Sequence, residues 1–374
     1  MDRLSVHLKC FWSNCGLILL IGSIIAIYFG NTHAVSEGVR NGLLVCGGTL
    51  IPSLFPFMIL CSFLVSSRLS DRLSVPFTWI TTRVLRLPSY MGAVFVMSLI
   101  GGYPAGAKMI ADMYRAGRID SRVASRMLCY CVNAGPAFLI TAVGSRMFEN
   151  SAAGVLLFCS QTVASVILAI LSRFWADKLL PVEPTQTKLN PLVPSFVSSV
   201  KTAAEAMFSV CAFVTAFSAI VSFVQSLHIA TVLEGLFAFA PKGFADAVIN
   251  GLFEVTLGCA ESPAIGGTHS LYIACAICSF GGLSVMGQAL SFFSGIPVKT
   301  IPYLLSRPIH MVLSCGILLG LTKLFPRSII AFMPANSLIS ASPFSATPTA
   351  SLSLMALCAA LILSKKDSNP VLEL

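Results

Sequence analysis

The sequence predicts an all-α polytopic membrane protein, with about eight membrane-spanning helices plus two re-entrant, broken helical segments arranged as two inverted repeats. Three observations predict it. Of the 374 residues, 56% are hydrophobic and 10% charged, where soluble domains carry about a quarter charged residues. Apolar runs long enough to cross a hydrocarbon core of about 30 Å recur along the chain. Two of these runs are interrupted at matching spacing, Gly102-x-Pro104-x-Gly106 in the first half and Glu254-x-Thr256-x-Gly258 in the second. In hydrocarbon an open backbone group is costly, so a helix broken this way is tolerated only where protein or a water-filled cavity meets the freed N–H and C=O groups.

The elements follow in order. Arg3 and Lys9 precede an uncharged run from Cys10 to Gly30, and Thr32-His33-Ala34 is a poor cleavage site, so residues 1–39 are expected to form a retained signal-anchor helix. Asn41 to Ser67, with Gly47-Gly48, Pro52 and Pro56, is expected to be a kinked span. Arg68, Arg72, Arg83 and Arg86 then mark a cytoplasmic loop. The third stretch, Leu87 to Ala107, holds the first break and is followed by Lys108, Arg115, Arg118, Arg122 and Arg126. A full crossing would put those bases outside, so the stretch is expected to enter and return as a re-entrant hairpin. Met109 to Ala116 then reads as a short amphipathic helix stopped at Gly117, with Asp120 as the N-cap of the next helix.

Met127 to Ser145 is expected to cross with Asn133-Ala134-Gly135-Pro136 near its middle, and Asn150 to Ser172 to return. Residues 40–175 thus form a first repeat, and the basic, proline-rich residues 176–200 a cytoplasmic linker. The second repeat, 201–325, holds a span from Ala206 to Leu233, a re-entrant element near 245–262, a span near 269–291 subdivided at Gly281-Gly282, and a span from Thr300 to Leu321 interrupted at Arg307-Pro308. Residues 326–374 are expected to contribute an external loop and a short final helix ending at Lys365-Lys366, which places both termini in the cytoplasm. Asn133-x-Gly135-Pro136 answers Ser279-x-Gly281-Gly282, and the halves start on opposite sides, so the repeats are inverted around one central site.

The formal charge of +9 resides in short loops between apolar segments rather than on one face, which argues for membrane topology and against a nucleic-acid partner. Most of the thirteen cysteines lie inside apolar stretches, where a thiol behaves as a small apolar residue. Cys275-Ala-Ile-Cys278 is read as structural, and no metal-ligand spacing surrounds His228 or His269. Enzyme readings lack their parts: H-E-x-x-H, G-x-S-x-G and the Walker A sequence are absent, and no soluble segment could hold a nucleotide site.

The candidate binding residues are those at the interruptions. Gly101, Gly102, Tyr103, Pro104 and Gly106 form a break whose glycines allow close backbone approach and whose following helix presents N–H groups and the positive end of a dipole, which attract carboxylates. Lys108 adds charge or anchors the hairpin at the cytoplasmic face. Asn133, Gly135 and Pro136 offer a two-way hydrogen-bonding amide and a freed carbonyl. Glu254, with Thr256 and Gly258, is a carboxylate within a membrane segment, a functional site by default. Close helix packing competes with binding for the glycines. Glu261 reads as interfacial, and Arg307 as a cation snorkelling to the headgroups, with His310 one turn on.

At these motifs the chain resembles the nucleoside-recognition, or Gate-domain, membrane proteins, and within them the YlbJ-type sporulation integral membrane proteins of endospore-forming bacteria. The residues that carry the resemblance are Gly101 to Lys108, Met113-Tyr114-Arg115-Ala116-Gly117-Arg118-Ile119, Asn133 to Pro136 and Glu254 to Gly258, within residues 40–325. The resemblance implies kinship with concentrative nucleoside transporters and with the membrane gate of ferrous-iron transport proteins. It also implies a role in sporulation with dipicolinate, a small aromatic dicarboxylate, as cargo. The expected function is therefore movement of a small polar or anionic solute across a bacterial cell or forespore membrane, with protons or sodium as coupling ions and no other cofactor. A nucleoside or related heterocycle is the alternative cargo. A non-transporting gate or scaffold, assembled as a homo-oligomer or with other sporulation membrane proteins, is the alternative of a different class.

Overall fold

A computed structural model describes residues 29–67, 69–175, 191–227 and 241–325. Residues 1–28 of the expected N-terminal anchor, most of the linker, the end of the span expected to reach Leu233, and the external loop and final helix lie outside the described residues. Among the described residues every regular element is helical. Four helices are long and apolar enough to cross a membrane, Ser151–Ser172, Leu192–Ser226, Gly267–Ser291 and Thr300–Leu324, and a fifth span is formed if Leu54–Ser66 and Leu69–Phe77, bent by 91°, count as one.

The chain enters with α1 (Thr32–Val45), which runs through a π-turn at Cys46–Leu50 into α2 (Ile51–Ser66) and, after the bend, α3 (Leu69–Ser74). The helix therefore starts before Asn41. The broken pair α4 (Gly92–Gly101) and α5 (Tyr103–Arg115) follows, then α6 (Ser121–Cys131) and a π-helical segment (Ala137–Met147). The amphipathic piece at Met109 is the second half of α5 rather than a separate helix. The reason is that Pro104 sits in the first turn, where its missing N–H costs nothing. Gly117, at φ 66°, ends this region. Asp120 caps α6 by accepting from Val123 N–H at 2.7 Å, and Asn150 caps α7 (Ser151–Ser172) by accepting from Ala153 N–H at 3.2 Å.

The second half opens with α8 (Leu192–Ser226), which starts inside the stretch read as linker because Pro191 and Pro194 stand at the cap and in the first turn of the helix. A second broken pair, α9 (Phe244–Phe253) and α10 (Val255–Glu261), leads into α11 (Gly267–Phe280) and α12 (Gly282–Ser291), joined at Gly281. The last described helix, α13 (Thr300–Leu324), runs unbroken through Pro308. The interruption expected at Arg307-Pro308 does not form, since a proline in a membrane helix frees groups that neighbouring elements can satisfy.

Apolar residues fill the core, and polar side chains turn inward beside them, away from lipid. On α13 the inward stripe is Tyr303, Ser306, Arg307, His310 and Ser314, whereas Ile301, Leu305, Ile309 and Val312 are exposed. The apolar stretch of α11–α12 is 67% buried against 28% for those of α8 and of α13, so α11–α12 is the hub and α8 and α13 are peripheral. Gly38 and Gly42 on α1 let it meet α8 backbone to backbone, because a Cβ at either would come within 2.7 Å of an α8 Cα.

Candidate functional site

Four helix breaks meet in pairs. Gly102, between α4 and α5, takes φ 82° and ψ −179°, a conformation for glycine alone. Its partner is Gly135, in the break between α6 and the π-helix. A Cβ on Gly135 would lie 2.8 Å from the Ile100 carbonyl and 3.0 Å from Gly102 N. In the second half, Glu254 separates α9 from α10 with extended backbone, φ −141° and ψ 119°. Its partner is Gly282, where a Cβ would lie 2.9 Å from the Gly251 carbonyl and 3.4 Å from that of Phe253. Each half thus seats its broken hairpin against its own glycine break.

The two pairs are joined across the halves. Tyr103, the first residue of α5, donates its hydroxyl to the Cys278 carbonyl at 2.5 Å, on the last turn of α11. α13 then serves both mid-helix breaks. Arg307, 1% exposed, donates to the Val132 carbonyl at 2.6 Å and also to that of Cys129, and it lies over the Tyr303 ring at 5.2 Å. His310 places Nδ1 3.0 Å from the Ser279 carbonyl and Nε2 3.0 Å from the Ser165 hydroxyl. The snorkelling expected of Arg307 is overturned. Its charge is spent on carbonyls at the negative end of α6, where a buried cation is favoured.

Around the breaks lies a cavity of about 190 Å³. Gly101, Gly102, Tyr103, Pro104, Gly135, Glu254 and Thr256 line it, together with Gln288 of α12, Thr141 and Arg146 of the π-helix, Val210 and Val214 of α8, and apolar residues of α2. The start of α5 therefore opens into the cavity. Glu254 is buried and caps α10: Oε2 accepts from Leu257 N–H at 2.9 Å, and Oε1 from the Thr256 hydroxyl at 3.3 Å. Both oxygens act as acceptors, as a carboxylate's do.

The remaining candidates stand outside the lining. Gly106 packs so tightly on α6 that a Cβ would fall 1.9 Å from the Cys131 carbonyl, and Gly258 so tightly on α9 that one would fall 2.3 Å from Gly251 Cα. For these two, packing is what the glycine supplies. Lys108 is buried and paired with Asp112 at 2.5 Å, one turn on, so it is neither a cavity cation nor a headgroup anchor. Asn133 donates Nδ2 to the Tyr130 carbonyl at 2.7 Å, and Pro136 is the cap of the π-helix.

Sequence reasoning missed Arg146 and Gln288. Arg146 follows the expected end of its span at Ser145 and so reads as a flanking base; the signal was its place on the helix that begins at the Asn133–Pro136 motif.

Over 337 residues, 82% of this chain and 83% of the relative, the sequence is 23% identical to the sporulation integral membrane protein YlbJ of Bacillus subtilis (strain 168). The chain is similar to YlbJ over most of both lengths. With its apolar helices, this similarity supports an integral membrane protein. No family model matches the chain, and no solved structure does. The YlbJ alignment is long enough to take in the motifs on which the resemblance was read.

Proposed function

We propose that the protein is a membrane transporter-like protein that moves a small organic anion, dipicolinate, across a cell or forespore membrane during endospore formation. One observation carries this reading: the breaks of both hairpins, Gly102 and Glu254, and the Gly135 break line a single cavity. Paired interruptions in two halves are the best pointer to a midplane transport site. The matching seats of Gly102 on Gly135 and of Glu254 on Gly282 support two repeats, which we read as inverted. The volume lies below the ~300–1,000 Å³ of drug-sized ligand sites, which suits a single-ring solute. The start of α5 and the Arg146 guanidinium supply positive potential for carboxylates. Glu254, its oxygens occupied by the cap of α10, does not have to meet the cargo as a bare charge. The sporulation role rests on the printed name of the Bacillus subtilis relative, and dipicolinate on the family resemblance.

A second reading, a nucleoside or related heterocycle, is favoured by one feature. Glu254, Thr256 and Gln288 give the cavity a set of donors and acceptors suited to hydroxyls and ring nitrogens.

The test is uptake of labelled dipicolinate, with uridine and adenosine in parallel, into proteoliposomes under imposed proton or sodium gradients. Saturable dipicolinate flux that Gly102→Leu abolishes supports the first reading. Nucleoside flux alone moves the assignment to the second, and no flux of any solute by folded protein rejects transport in favour of a gate or scaffold.

A further inference from the structure

The base of the α9–α10 hairpin holds a polar group that the cavity does not use. Glu261 ends α10, where the exposed carbonyls of the helix make a second negative charge unfavourable. Asp246, one turn before Asn250 on α9, faces it as a like charge, and the Asn250 amide lies beside its carboxylate. From α8, Gln225 donates Nε2 to Glu261 Oε1 at 3.3 Å. Among the described residues no lysine or arginine pairs with Glu261. Asn250 is only 1% exposed, and apart from the Glu261 carboxylate beside it its Oδ1 and Nδ2 have no hydrogen-bond partner.

Burying an amide oxygen with nothing to satisfy it is costly. The arrangement is nonetheless that of a hard-cation site: two carboxylates, a neutral amide oxygen, and the C-terminal end of a half-helix, where transporters coordinate their coupling ions. We propose that Glu261, Asn250 and Asp246 bind a sodium ion at the hairpin base. Gln225 is exposed and Glu261 half-buried, so the ion can enter from outside. The Asn250 carbonyl also accepts from Glu254 N–H at 2.6 Å. An ion that fixes Asn250 and clamps the two arms of the hairpin therefore also fixes the backbone at the cavity tip. That consequence rests on the transport reading, whereas binding of the ion does not.

The test is cargo-free. Full-length protein in detergent at constant ionic strength, with sodium replaced by choline, is followed by thermal unfolding and by equilibrium binding of radioactive sodium. The wild type should bind sodium saturably and melt at a temperature that rises with sodium and not with choline. Half-saturation should move at least about tenfold higher in Glu261→Gln and in Asn250→Leu, and should stay within about twofold in Glu205→Gln, an exposed carboxylate on α8. If those two buried variants fail to accumulate, Asp246→Asn, at a half-exposed position, must show the same weakening. The proposal is overturned by a wild type without saturable sodium binding, by unaltered half-saturation in Glu261→Gln or Asp246→Asn, or by an equal loss in Glu205→Gln.

Discussion

Arg307 and His310 stand one turn apart on α13, and each holds the carbonyl end of a different broken helix. Arg307 takes Cys129 and Val132 at the end of α6, and His310 takes Ser279 at the end of α11. A helix that stops within a bilayer leaves carbonyls that water cannot reach. Here one neighbouring helix supplies donors to both stops. The buried polar stripe of α13 is thus a condition for having two breaks in the first place.

Arg307→Met should therefore lower stability more than any exposed substitution on α13. Each carbonyl left without a donor costs about 1–3 kcal/mol, and two depend on this side chain. Arg307→Lys should recover only part of the loss, because an ammonium lacks the planar fork that reaches both. Thermal unfolding of purified protein checks the order wild type, Lys, Met. Equal melting temperatures for all three would remove the role assigned to Arg307.

Gly102 and Gly106 are four positions apart in the same motif but should fail for different reasons. At Gly102 a Cβ has room, with its nearest neighbour at 3.5 Å, and the cost lies in the backbone conformation, about 1–3 kcal/mol. At Gly106 a Cβ would run into backbone 1.9 Å away, so α5 and α6 must separate. Gly102→Ala should accumulate as folded protein with a lowered melting temperature. Gly106→Ala should not accumulate, as membrane-fraction immunoblots and size-exclusion profiles would show.

What could be read from sequence was local. Gly102 and Glu254 both became helix breaks in the register their spacing gave, because a Gly-x-Pro and a lone acid in apolar runs act within one turn. Asp120, Asn150 and Gly117 did as their types require. The partners of Arg307, Tyr103 and Gly282 lie in elements distant along the chain, and no periodicity within one helix reports such a contact. Lys108 and Asp112 were an exception: their i, i+4 spacing was there to be read as an ion pair, but the surrounding run of bases pointed to topology. The linker reads too long because prolines in the first turn of a helix look the same in sequence as prolines in a loop.

Glu254 should separate capping from charge. Glu254→Ala removes the acceptor from Leu257 N–H, which for a helix cap costs about 0.5–2 kcal/mol, and should lower the melting temperature and abolish flux. Glu254→Gln keeps one acceptor oxygen and should melt close to the wild type while losing flux of cargo. Retained flux in the glutamine variant would assign Glu254 to structure alone.

Arg146 is the sharpest test of what the cavity carries. It is exposed and at the last turn of the π-helix, so its loss should leave folding nearly intact. A hydrogen bond to a charged group is worth about 1.5–3 kcal/mol, which corresponds to about a 10- to 100-fold rise in KM for a dicarboxylate when Arg146→Gln removes the guanidinium. A neutral heterocycle has no such contact to lose, so its KM should change by less than about threefold. Measuring both cargoes on the one variant, with melting temperature as the control, distinguishes a carboxylate-binding cavity from a nucleoside-binding one. The same shift for both, or none for the dicarboxylate, would take Arg146 out of the site.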